Sequence, residues 1–121
     1  MIQLPHGYNA GTDIYPHVHW ASLSNVGTDK VTLGIEYTWA NPGEPFGNST
    51  IIYGSDPAYA PIDALEHAVS NLPLILGVGK TKVSMIVCRI FRDVSHVDDN
   101  FSDDVGLLEI TFHYEVDPRW Y

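Results

Sequence analysis

From Lys30 onward the chain alternates without a break: Val31, Leu33, Ile35, Tyr37 and Trp39 are apolar or aromatic, and Thr32, Gly34, Glu36 and Thr38 lie between them. Side chains along a β-strand point to opposite faces with a period of two, so the pattern predicts a strand with one buried face. The same period recurs elsewhere. Residues 14–24 put Tyr15, His17, His19 and Ala21 on one face and Ile14, Pro16, Val18 and Trp20 on the other. Pro16 has no N–H for a ladder and predicts an edge or a bulge at that end. Residues 81–93 place Val83, Met85, Val87 and Phe91 against Ile86, Cys88 and Ile90, apolar on both faces, which predicts a central strand. In 105–116 Leu108, Ile110, Phe112, Tyr114 and Val116 read as inward, and Leu107, Glu109, Thr111, His113 and Glu115 as outward. Residues 49–54 form a shorter strand.

Turn chemistry separates these runs. Residues 5–13, 25–29, 41–48, 56–61, 77–80 and 94–104 are rich in Gly, Pro, Asn or Asp. The stretch 62–76 is ambiguous, because Ala64-Leu65-Glu66-His67-Ala68-Val69 has helical propensity. The run is short for an independent helix and Pro73 stops it, so extended structure is the expectation. About seven strands with no firm helix predict an all-β fold, an antiparallel two-sheet β-sandwich of jelly-roll-like form. Loops 41–48 and 94–104 are long enough to cross between sheets. Residues 1–121 make one domain. Its abrupt apolar start, Met1 to Leu4, reads as a first strand entered partway, which predicts a piece excised from a longer chain.

At 121 residues such a domain buries roughly two-thirds of the surface its unfolded chain exposes. Charged residues are 17%, below the usual quarter or so, which favours contact with other protein. Six Lys and Arg stand against fifteen Asp and Glu, for a net charge of -9 with no basic cluster, so no nucleic-acid partner is expected. No segment has the roughly 20 apolar residues of a membrane span and no export signal is visible, so no membrane partner is expected either. Cys88 lies within an apolar run and reads as a small core residue. Asn48-Ser49-Thr50 and Asn100-Phe101-Ser102 fit the glycosylation pattern but read as loop residues. The Asp-rich stretch 94–104 misses the ligand spacing of an EF-hand, so it reads as a solvated loop.

Chemistry concentrates on His17 and His19, which share one strand face. Gly11, five residues, then His17-Val18-His19 matches the opening of the first cupin motif, in which two histidines hold a metal. The Glu that follows in cupins is replaced here by Leu23 and Ser24, and the second cupin motif is absent. His113 could add a nitrogen and Glu36 or Glu109 an oxygen. The alternative is that His17, His19, Glu36, Glu109 and His113, with Tyr15, Thr38, Thr111 and Glu115, are polar strand faces joined by cross-strand hydrogen bonds at a subunit contact. No Gly-x-Ser-x-Gly occurs, and Gly77-x-Gly79 lacks a third glycine and a helix, so no catalytic residue, cofactor or metal is assigned.

Four segments carry a resemblance across nearly the whole chain. They are Leu4-Pro5-His6 with Gly11-Thr12-Asp13 and Pro16-His17-Val18-His19-Trp20; Gly34-Ile35-Glu36-Tyr37-Thr38-Trp39-Ala40; Val87-Cys88-Arg89-Ile90-Phe91-Arg92-Asp93; and Leu107-Leu108-Glu109-Ile110-Thr111-Phe112-His113-Tyr114-Glu115. Together they resemble small β-sandwich virion structural proteins of tailed bacteriophages. The resemblance implies a non-enzymatic protein, made in the host cytoplasm and resident in the virion, that decorates the head or associates with the tail or a fibre. It implies assembly as a homotrimer among other virion proteins; the shared strand faces, not the resemblance, make His17, His19, Glu36, Glu109 and His113 the expected interface or polar cluster. Competing classes are a cupin-like metal-binding protein and a monomeric glycan-binding module using exposed Tyr and Trp on loops.

Overall fold

A computed structural model describes residues 1–55 and 61–120; most of the turn-rich stretch 56–61 lies outside the described residues. Seven strands follow in order: β1 (Ile2–Gln3), β2 (Tyr15–Ser22), β3 (Leu33–Ala40), β4 (Thr50–Gly54), β5 (Ala68–Asn71), β6 (Met85–Arg92) and β7 (Val105–His113). A single 3-10 turn, Pro118–Trp120, follows them, and among the described residues there is no α-helix. The strands form two antiparallel sheets, β1-β6-β3-β4 and β5-β2-β7. They pack face to face as the expected β-sandwich.

Consecutive strands change sheet at every connection except β3 to β4. Loop 94–104 therefore crosses between sheets as predicted. Loop 41–48 does not, because it closes the β3–β4 hairpin within one sheet. The ambiguous stretch is extended where it is regular: Ile62 and Ile75 make isolated bridges to Gly27 and Ile14, and β5 lies between them.

The alternations become the core. β2 buries Pro16, Val18, Trp20 and Ser22, and β3 buries Leu33, Ile35 and Trp39. Trp20 anchors one cluster with Val18, Leu33, Ile35, Ile62 and Phe101. Trp39 anchors the other with Leu4, Tyr8, Ile14, Ile75 and Ile86, and Tyr37, Ile52 and Cys88 pack against both. Each indole N–H is buried, and each finds a serine: Trp20 Nε1 donates to Ser70 Oγ at 2.9 Å and Trp39 Nε1 to Ser84 Oγ at 2.8 Å. Cys88 takes the predicted packing role, and burial pushes its thiol pKa up.

Five local expectations are corrected. Strand β2 is the central strand of its sheet, and Pro16 is tolerated because its carbonyl faces Leu72, at the point where β5 has ended. N and C=O of one strand residue point to the same side, so the missing N–H costs only a bond toward Leu72, beyond the end of β5, and leaves the β7 ladder intact. Strand β6 is central, but its outer face is open rather than apolar core, with Val87 and Arg89 exposed. Val83 lies outside it, in a turn at φ 66°, a left-handed conformation costly for a β-branched residue. In β7 the register passes from His19↔Glu109 to Trp20↔Leu107, leaving Leu108 as the extra residue of a β-bulge. That residue inverts the parity. Leu107 turns to the side of Trp20 and Leu33, and Leu108 is left 60% exposed. Beyond the strand end Tyr114 and Val116 are exposed rather than inward; Tyr114 sets its ring edge-on to Tyr8 at 6.5 Å.

The outer face of the larger sheet is covered by its own side chains. A Cβ on Gly34 would meet the Phe91 ring at 2.4 Å, so glycine is what lets that ring lie flat on the strand. Tyr53 packs edge-on to Phe91 at 6.0 Å, and the Arg89 guanidinium stacks over it at 4.3 Å.

Candidate functional site

The outer face of β5-β2-β7 gathers most of the residues singled out in the sequence. Strand β2 presents Tyr15, His17, His19 and Ala21 outward while their neighbours are buried. Register sets Thr111 opposite His17, Glu109 opposite His19 and His113 opposite Tyr15. On the other side, Asn71 stands opposite His17 and Val69 opposite His19.

These placements produce a connected face. His17 Nδ1 bonds to Asn71 Oδ1, and the His17 and His113 rings meet edge to face with centroids 4.5 Å apart. His19 Nδ1 is 2.8 Å from His67 Nε2, and its other ring nitrogen is 3.2 Å from Thr111 Oγ1. The cross-strand His-carboxylate bonds expected of the polar faces are replaced here by bonds to an amide, a hydroxyl and another imidazole.

Glu36 is the exception. It belongs to β3 in the opposite sheet, so it does not join the cluster. There it accepts from Arg89 Nε at 2.7 Å and from Ser49 Oγ at 2.8 Å, and those two donors hold its carboxyl below the usual carboxylate range. Glu36 and Arg89 are direct cross-strand partners, so this pair pins the β3–β6 register.

His67 and Asn71 are the members that the sequence reading did not find. Their signal was parity: in β5, Ala68 and Ser70 are buried, which turns 67, 69 and 71 outward. That signal is legible only once 68–71 is known to be a strand. Two further expectations fare differently. Among the described residues no three His, Cys, Asp or Glu side chains come together in a way that could hold a metal ion, so His113, Glu36 and Glu109 do not complete a cupin-like set around His17 and His19. Trp20 and Trp39 are core residues at 1% and 7% exposure, so neither lies on a surface that could bind a glycan. No helix among the described residues is long and apolar enough to cross a membrane.

Comparison with known protein families, with curated proteins and with solved structures finds no match to this chain.

Proposed function

We propose that this chain is a structural protein of a tailed-phage particle and that it works by assembling into a homotrimer through the histidine-bearing face of β5-β2-β7. The observation that carries the reading is the character of that face. It is made of rings and short polar groups, His17, His19, Thr111 and His113 among them, which is neither the charged surface of a solvated sheet nor apolar core. Its border is apolar: Leu108, the bulge residue on the edge strand β7, is 60% exposed. Exposed apolar residues on an unpaired edge strand mark a surface suited to protein contact. The four sequence segments that resemble phage virion proteins supply most of β2, β3, β6 and β7, so the resemblance reaches both sheets.

Light scattering tests the reading. Expected is a mass three times the 13.4 kDa of one chain at micromolar concentration. A cyclic trimer repeats one contact three times, so a carboxylate introduced by His17→Glu is expected to dissociate it. A wild-type mass of 13.4 kDa sinks the proposal. A trimer untouched by the substitution moves the contact to another face.

A further inference from the structure

His19 Nδ1 and His67 Nε2 face each other at 2.8 Å, with ring centroids 5.0 Å apart. A hydrogen bond between two ring nitrogens needs one N–H and one lone pair, so the two rings aim a single proton and one free lone pair at one point, and two lone pairs once that proton shifts to the other nitrogen of its ring. A metal ion can take the place of that proton. We propose that His19 and His67 form a two-imidazole site for a divalent ion of the zinc and copper class, on the same face as the proposed trimer contact.

The geometry needs little adjustment. Zinc–nitrogen bonds of about 2.0–2.1 Å at a tetrahedral angle separate two ligand nitrogens by roughly 3.3 Å. The pair must therefore open by about half an ångström. His19 is held by the ladders of the central strand, but His67 lies exposed just before β5 and is free to take up that shift. Both metal-facing nitrogens must be lone pairs, so the proton between the rings has to move within its own ring. If His19 carries it, it passes from Nδ1 to Nε2, where Thr111 Oγ1 lies at 3.2 Å and accepts it in a hydrogen bond. If His67 carries it, it passes to that ring's Nδ1. Each neutral ring keeps one proton, so the exchange balances without an acid or base.

Thr111 suits this role because a hydroxyl both accepts and donates, and its bond orients the His19 ring in either tautomer. Two imidazoles select for zinc, copper or nickel over magnesium and calcium, which require mostly oxygen ligands. Water fills the remaining positions. The chain's net charge of -9 favours a cation.

Titration calorimetry of the full chain with Zn2+ is the test, read beside Mg2+ and the variants His19→Ala, His67→Ala and His113→Ala. Expected is one Zn2+ per chain and no response to Mg2+, with binding lost in the first two variants and kept in the third. No binding of Zn2+ by the wild type overturns the proposal, as does binding of unchanged affinity in His19→Ala or His67→Ala. Half an ion per chain also overturns it, by placing the ion between two chains. Because His67 is exposed and outside the strands, His67→Ala keeps the fold, which circular dichroism verifies, and the result does not depend on His19→Ala folding. The readout is ion stoichiometry rather than mass, so it stands or falls separately from the trimer.

Discussion

Trp20→Ala is expected to remove about 4 kcal/mol of stability, a large share of the roughly 5–15 kcal/mol that holds a domain of this size together. Trp20 is 1% exposed and is the largest fully buried side chain among the described residues, packed with Val18, Leu33, Ile35 and Phe101 where both sheets and the crossover loop meet. Truncation leaves a cavity, and β-sheets closed by ladders on both sides cannot collapse to fill it. It also strands Ser70 Oγ, fully buried, without the indole N–H it now accepts from. Urea unfolding should show the midpoint falling by about 2 M at an m-value of roughly 2 kcal/mol/M. Trp20→Phe keeps most of the volume and loses the hydrogen bond, so it should cost about 1–2 kcal/mol. Equal losses in the two variants would show that packing around the indole contributes little.

The position of Trp20 was legible in the sequence, as was that of Trp39, because an alternating strand declares its buried parity wherever one face is wet. Their partners were not. Ser70 and Ser84 look like ordinary turn or surface residues until the indoles are placed opposite them. Parity also fails where a ladder slips. Nothing in Leu107-Leu108-Glu109 announces a bulge, since both leucines fit an inward position, and the choice is made by pairing with His19 and Trp20.

The candidate site divides along the same line. His17, His19, Glu109, Thr111 and His113 share a face because local alternation fixed each strand's orientation and the topology happened to place β2 beside β7. Glu36 obeys the same local rule on β3 and is equally outward, yet it lies on the far side of the molecule. Alternation tells which residues share a face of one strand. Which strands are neighbours depends on where chains cross between sheets, and here almost every connection crosses.

Asp99→Ala is expected to cost about 3 kcal/mol or more, although the residue lies in a stretch whose composition is that of a solvated loop. Its carboxylate is buried and takes a bidentate pair from Arg92, Nη2 to Oδ1 at 2.8 Å and Nε to Oδ2 at 2.9 Å, and Thr32 N–H donates to Oδ2 at 2.9 Å. Arg92 Nη2 also donates to the carbonyl of Phe101 at 2.6 Å, which fixes the crossover loop where the Phe101 ring enters the core. Removing the carboxylate leaves a largely buried guanidinium unpaired and an amide unsatisfied. Burial alone would raise the Asp99 pKa, but the bonds from Arg92 and Thr32 outweigh it and hold the carboxyl below its ordinary value. A carboxylate with a depressed folded pKa stabilises fully above its unfolded pKa of about 3.9, and that contribution is lost as pH falls through the folded pKa. The gap in unfolding free energy between wild type and Asp99→Asn should therefore be widest at neutral pH and narrow below about pH 4. A gap that stays constant from pH 7 to pH 3 would contradict the ionic account. So would a double variant, Arg92→Met with Asp99→Leu, as unstable as Asp99→Ala alone, because removing both charges together leaves neither one buried without its partner.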